Sequence, residues 1–276
     1  MKPFLALLAL AAAALAGCSS NPITGRSQLL VVSEDTAVRE SASAYTQMMG
    51  QLNGKRQIES GTPRTQKVVE ITDRLVAQAI RLRPASARWQ WEVQVINDPK
   101  TVNAFCMAGG KMAIYAGMWD KLHASDDEIA MVMGHEISHA LADHTRERMS
   151  VAYSTGIGTQ LLAIAIGLGD AGSQLMQQAA VYAIQLPNSR ESESEADQIG
   201  IELAARAGYD PKAAVTLWEK MGSLGGAPPE FLSTHPSPEH RAARLKELGA
   251  KLQPLYEAAK ANPQPAPHVV NAAARR

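Results

Sequence analysis

Apolar positions recur at helical spacing along most of this chain, with one interruption where the period falls to two. A first helix is predicted from Ser33-Glu34-Asp35, a suitable N-terminal cap, towards Met49. A loop from Gly50 to Pro63 follows, with Gly54 and Gly61 as breakers. Val68, Val69, Ile71, Leu75, Val76 and Ile80 then mark a second helix that stops before Pro84. Beyond it, Trp89, Trp91, Val93 and Val95 alternate with Gln90, Glu92 and Gln94, the pattern of a strand. Asn103-Ala104-Phe105 leads through Gly109-Gly110 into a second short strand, Lys111 to Tyr115. Ser125-x-x-Glu128 is a capping box opening a helix whose inner face collects Ile129, Met133, Ile137, Ala140 and Leu141.

The second half reads as helices with short connections. Residues 149–169 carry no formal charge, but serines, threonines, a glutamine and glycines interrupt them. Their apolar core is too short for a membrane span, so they read as a buried or membrane-facing helix before a Gly-rich turn at Gly167 to Gly172. A helix is predicted from Asn188-Ser189 to Ala207, closed by Gly208. Asp210-Pro211 opens the next, with Ala214, Leu217, Trp218 and Met221 on one face, and Gly222 to Pro229 is loop. Pro238 starts a helix through Leu248, and a separate last piece reaches Ala261. Residues 263–276, rich in Pro and Ala, form a disordered tail. The expected fold is α+β and predominantly helical, with a small β-sheet beside the capping-box helix.

Composition narrows the class. With 46% apolar and 20% charged residues among 276, the chain has an ordinary globular core. Its 27 basic and 27 acidic residues cancel, which argues against a nucleic-acid partner. The N-terminus reads as targeting: Lys2 precedes an apolar run from Phe4 to Ala16. Leu15-Ala16-Gly17-Cys18 resembles the lipobox of bacterial lipoproteins, which makes 1–17 a signal peptide and Cys18 the lipid-bearing first residue. Ser19, rather than Asp, after the cysteine favours the outer membrane, facing the periplasm, in a Gram-negative host. Cys106 is then left alone in an apolar setting, a buried and inert thiol with no disulfide.

The chemistry lies in the capping-box helix, which contains His135-Glu136-x-x-His139. Residues i and i+4 share a helix face, so two imidazoles can reach one metal with a carboxylate beside them. Zinc held this way keeps a position open for water, the arrangement of a zinc peptidase. A third protein ligand is required. The acidic run Glu191, Glu193, Glu195 and Asp197 supplies it, and spacing alone does not choose among the glutamates. Glu193 and Asp197 share a face, so one can bind zinc while the other accepts the free N–H of a ligating histidine. The strand at 111–115 offers a free edge to an extended peptide substrate. His144 lies about 140° round the helix from His139 and so points away from the metal, and His123 and His240 read as surface residues.

The two motifs together, H-E-x-x-H and S-R-x-x-E-x-x-A-D from Ser189 to Asp197, resemble the HtpX- and OMA-type zinc metallopeptidases, metallopeptidase family 48. The resemblance extends to Asn21-Pro22-x-Thr24-Gly25-Arg26, Asn103-Ala104-Phe105 with Gly109-Gly110, and His235-Pro236-x-x-x-x-Arg241, in the same order. It covers residues 18–250, fits a lipoprotein branch without membrane helices, and implies one zincin-like (minigluzincin) peptidase domain over 18–262. It implies one Zn2+ held by His135, His139 and Glu193, Glu136 as general base, and Asp197 as partner to His135. His235 is the candidate for an oxyanion donor or a removable fourth zinc ligand, and Arg190 and Arg241 brace the site through its carboxylates. The implied activity is endopeptidase cleavage of misfolded or unassembled envelope proteins, with the outer-membrane assembly machinery as a possible partner.

Overall fold

The computed structural model describes residues 18–21, 23–154, 180–181, 183–185, 187–224, 229–235 and 241–263. Residues 1–17, expected to be a signal peptide, residues 155–179, where a Gly-rich turn was expected, His240 and residues 264–276 lie outside the described residues.

The chain opens with a small antiparallel hairpin, β1 (Cys18–Ser20) and β2 (Ser27–Leu29). In its turn Asn21 Oδ1 accepts the N–H groups of Ile23 and Thr24, and Gly25 has φ +74°. Helix α1 (Glu34–Gly54), capped by Ser33, runs past the expected end near Met49. Gly50 does not break it, because Gly50 sits on the exposed side in open space. The expected loop also contains a two-residue strand, β3 (Ile58–Glu59). Helix α2 (Pro63–Leu82) starts at a Thr62 cap with Pro63 in its first turn, where a missing N–H costs nothing.

Three strands follow: β4 (Glu92–Ile96), β5 (Ala104–Met107) and β6 (Lys111–Tyr115). The sheet order is β3-β4-β6-β5, with β4 and β6 parallel and the other pairs antiparallel. This corrects the expectation of a free edge on residues 111–115. β6 is interior, paired on both sides, and β5 is the edge strand. Periodicity identifies a strand but not its neighbours. The tight connection at Gly109-Gly110, both at positive φ, folds β5 onto one side of β6 while β4 takes the other. β4 is likewise covered on both faces, so Gln94 is buried along with Val93 and Val95.

Helix α3 (Gly117–Asp120) leads to α4 (Asp126–Leu141), whose capping box is complete: Ser125 Oγ accepts from the Glu128 N–H and Glu128 returns the bond to the Ser125 N–H. Every residue of α4 from Glu128 to Leu141 is buried, so the helix is central rather than one-sided. Ile71 and Leu75 of α2, Met112 and Ile114 of β6, and Ile129, Met133 and Ile137 of α4 form one core. Helix α5 (His144–Ser154) follows, then α6 (Arg190–Arg206), capped by Ser189 and closed by Gly208 at φ +80°. Helices α7 (Ala213–Ser223), α8 (Glu230–Thr234) and α9 (Arg241–Ala261) complete the described chain. The two helical pieces expected at the C-terminal end are one helix: Pro254 lies exposed within α9 two turns from its end and removes one hydrogen bond without stopping it. The predominantly helical α+β class expected from the sequence is what the structure shows. Among the described residues, no helix is long and apolar enough to cross a membrane.

Candidate active site

Helix α4 carries His135 and His139 one turn apart, with their Nε2 atoms 3.1 Å from each other. Helix α6 crosses α4 where Gly200 meets Gly134, and this brings the wholly buried Glu193 against both rings. Glu193 Oε2 lies 3.4 Å from His135 Nε2, and Oε1 lies 3.3 Å from His139 Nε2. His235, just past α8, completes the group: one ligand atom from each of His135, His139, Glu193 and His235 falls within 4.8 Å of the others. All four are buried. Buried polar groups normally find hydrogen-bond partners, yet Glu193 Oε1 and the neighbouring Glu136 Oε1 have none. Nitrogen and carboxylate donors converging with unsatisfied oxygens fit a zinc ion.

The electrostatics follow from burial and from these contacts. Burial alone would raise Glu193, but His135, His139 and His235 outweigh it and hold its carboxyl well below the usual range. Glu136 is pushed up to about 8, chiefly by burial and further by Glu193, while His135, Arg148 and the Cys106 N–H favour its charge. Burial lowers His139 well below its ordinary value and takes His235 down to about 3. For His135 the burial effect is overcome by Glu193 and Asp197, and the ring rises to about 9.

A ring of further contacts fixes these groups. His135 Nδ1 lies 3.2 Å from Asp197 Oδ1. Arg241 spans two carboxylates, 3.1 Å to Glu193 and 2.6 Å to Asp197, and its guanidinium lies 3.7 Å over the Trp218 ring. Arg190, expected to share this bracing, is instead exposed in the first turn of α6. Of the three glutamates left open by spacing, Glu191 is exposed and Glu195 faces elsewhere, so Glu193 alone joins the histidines. His235 Nδ1 lies 3.0 Å from the Phe231 carbonyl oxygen, and its ring stacks on Phe231 at 4.2 Å. Thr234 Oγ1 lies 3.0 Å from the same Nδ1, and Nε2 lies 3.3 Å from Glu136 Oε1.

His144 does not reach the four-residue cluster, but it is buried, with Nδ1 2.8 Å from His139 Nδ1 and Nε2 2.9 Å from Glu195. The sequence did not foresee this contact, because α4 ends at Leu141 and Asp143 adopts φ +57°, so His144 begins a new helix in a new direction. Arg148 was also missed. It is half-buried in the cleft wall, where desolvation lowers it to about 10 against the pull of Glu193 and Glu136. No local pattern marks either residue. His123 is exposed as expected, and Cys106 is a buried free thiol whose ionisation burial suppresses.

A cleft of about 270 Å³ opens onto the cluster, lined by Glu136, His139 and His235 with Phe105, Tyr115 and Ile184 on its walls. Residues 103–106, which include most of the edge strand β5, form one side. On that side the Cys106 carbonyl accepts from Thr145 at 3.4 Å, and the Ala104 N–H donates to Asn103 Oδ1 at 2.9 Å.

Comparison with known proteins agrees with this arrangement. The chain is 34% identical over 230 residues to the mitochondrial metalloendopeptidase OMA1 of Schizosaccharomyces pombe, covering 82% of this chain and 65% of that protein. It is 42% identical over 166 residues to the OMA1 of Arabidopsis thaliana, covering 60% of this chain and 33% of the relative. To the β-barrel assembly-enhancing protease of Escherichia coli it is 28% identical over 215 residues, 74% of this chain and 43% of that one. The chain thus spans between one third and two thirds of the length of these relatives. Residues 63–249, from α2 through α9's first turns and including all four clustered side chains, match peptidase family M48, and the chain belongs to that family.

Proposed function

We propose that this protein is a zinc endopeptidase of the cell envelope, anchored by a lipid on Cys18, that cleaves misfolded or unassembled outer-membrane proteins. The observation that carries the peptidase reading is the buried convergence of His135, His139, Glu193 and His235 with Glu136 at its rim. His135, His139 and Glu193 would hold the ion. Zinc bound there supplies Lewis acidity that polarises a peptide carbonyl and acidifies water. Glu136 is the carboxylate that touches both the cluster and the cleft, and its raised affinity for protons suits it to take one from water and return it to the leaving amine. Asp197 orients His135, and the edge strand β5 along the cleft wall pairs with an extended substrate. His235 acts as a removable fourth ligand that keeps the enzyme latent, a reading supported by its ligand atom lying within 4.8 Å of those of His135, His139 and Glu193.

The envelope reading rests on Leu15-Ala16-Gly17-Cys18 followed by Ser19, and on the printed name of the Escherichia coli relative, which concerns β-barrel assembly. On this reading 18–262 is one peptidase domain, and its partners are unfolded substrates, the membrane and the assembly machinery. Two measurements test it. Full-length protein in detergent should cut an unfolded model protein, and Glu136→Gln should not; equal cutting by both would reject the mechanism. Mass spectrometry of the protein from a Gram-negative host should find acylated Cys18 at the N-terminus; an unmodified Met1 would reject the anchor.

A further inference from the structure

The hairpin from Cys18 to Leu29 shares its turn motif with the family resemblance, but nothing in the proposed chemistry uses it. We propose that this segment is part of the metal centre: through Glu195 and His144 it orients the ligand His139. The inference rests on the metal-centre reading given above.

The first link is backbone. Where α4 ends, carbonyls beyond the last turn need donors from elsewhere. Arg83 Nη1 donates to the Leu141 carbonyl at 2.7 Å. Two hairpin side chains donate to the Ala142 carbonyl, Asn21 Nδ2 at 2.7 Å and Gln28 Nε2 at 2.9 Å. The chain then turns at Asp143, in the left-handed region, and returns His144 to the side of His139.

The second link is a directed relay. His139 turns Nε2 toward His135 and Glu193, so Nδ1 points out of the cluster at His144 Nδ1, 2.8 Å away. With Nε2 offering its lone pair to a metal, Nδ1 carries the hydrogen and donates it to His144 Nδ1. His144 then carries its own hydrogen on Nε2 and donates to Glu195 Oε2 at 2.9 Å. Glu195 also accepts from Arg26 Nε at 2.9 Å and from Thr24 Oγ1. Arg26 is in turn held by Glu147 at 2.9 and 2.6 Å. Each donor meets one acceptor and the sequence runs in a single sense, so it selects the tautomer of His139 that binds metal. Residues Asn21, Thr24, Gly25 and Arg26 each have a task in it: end cap, acceptor's donor, turn and counter-charge.

His135 differs. Its outer bond goes directly to Asp197, held by Arg241 inside the core. Only the His139 branch leads to the N-terminal hairpin. Outer partners of ligating histidines tune metal affinity as well as orientation. A merely adhesive role for the relay would change folding stability and leave zinc affinity alone, and this separates the two.

The experiment uses the full chain stripped of metal, with zinc affinity read by competition against a chromogenic chelator and melting of each metal-free protein read in parallel. His144→Phe should weaken zinc binding about 10–100-fold, and Arg26→Ala by about threefold to tenfold. His144→Asn, whose amide oxygen takes the place of Nδ1 as acceptor, should retain most of the affinity, and the exposed Glu191→Gln should bind as wild type. Should His144→Phe fail to fold, Arg26→Ala, at a side chain 25% exposed, decides alone. Wild-type zinc affinity in Arg26→Ala and His144→Phe alongside a lower melting temperature would overturn the inference. Failure of the wild type itself to bind zinc would instead bring down the metal-centre reading, and this inference with it.

Discussion

Gly134 and Gly200 meet backbone to backbone where α4 crosses α6. A Cβ on Gly200 would lie 2.7 Å from the His135 nitrogen, and one on Gly134 would lie 2.8 Å from the Gly200 carbonyl oxygen. This approach, with no side chain between the helices, lets Glu193 reach both histidines. Gly200→Ala should force the helices apart at a cost of about 1–3 kcal/mol. Because Glu193 moves with α6, zinc content after dialysis should fall together with the melting temperature. Full zinc occupancy in a Gly200→Ala protein would mean that the crossing does not position the ligand.

His235 gives a second prediction with a sign that depends on its role. His235 converges with the three other clustered residues, where it can serve as a ligand. His235→Ala should therefore retain zinc through the other three residues and cleave an unfolded protein several-fold faster. A drop in kcat with zinc content unchanged would make His235 an oxyanion donor.

Acid stability should depend on Glu128. Burial works to raise its pKa, but Lys220, the Ser125 N–H and Thr216 outweigh this and lower it below the ordinary 4.5. A carboxylate with a depressed folded value stabilises the protein above about pH 4.5, and that contribution is lost as the pH falls through the lowered value. Glu128→Gln should remove this part of the acid sensitivity and, by weakening the capping box, cost about 1 kcal/mol at neutral pH. Melting curves from pH 7 to pH 3 would show wild type and variant converging; parallel curves would contradict the assignment.

Arg241 bridges Glu193 and Asp197 with a single buried guanidinium. Arg241→Met keeps the stem over Trp218 but leaves two buried carboxylates without it. Removing one partner of a buried ion pair costs about 3–5 kcal/mol, so the metal-free variant should melt well below wild type. Added zinc should recover part of the loss, because the ion takes over the charge of Glu193. An unchanged melting temperature would show that the carboxylates are satisfied in some other way.

Much of this protein is legible without coordinates. His135, Glu136 and His139 are one helical turn of a single segment, and the capping box at Ser125 and Glu128 announces that segment locally. The periods of the apolar positions likewise announce α2 and α7, because each reports only which face of its own backbone is covered. Even the pairing of Glu193 with Asp197 on one face is a property of a lone helix.

What remained depends on distant backbone meeting distant backbone. No period tells whether a strand is interior, and β6 proved paired on both sides while β5 took the edge over the cleft. The choice of Glu193 over Glu191 and Glu195 was settled by where Gly200 lets α6 approach α4. His144 escaped because its direction is set by a left-handed residue at Asp143 and by caps from Asn21 and Gln28, more than a hundred residues earlier. The sequence by itself determined which residues can bind and transfer protons, since that is carried by residue type and one-turn spacing. Only the tertiary structure decided which of them meet, because that is set by close packing between helices and by buried hydrogen bonds that no single segment contains.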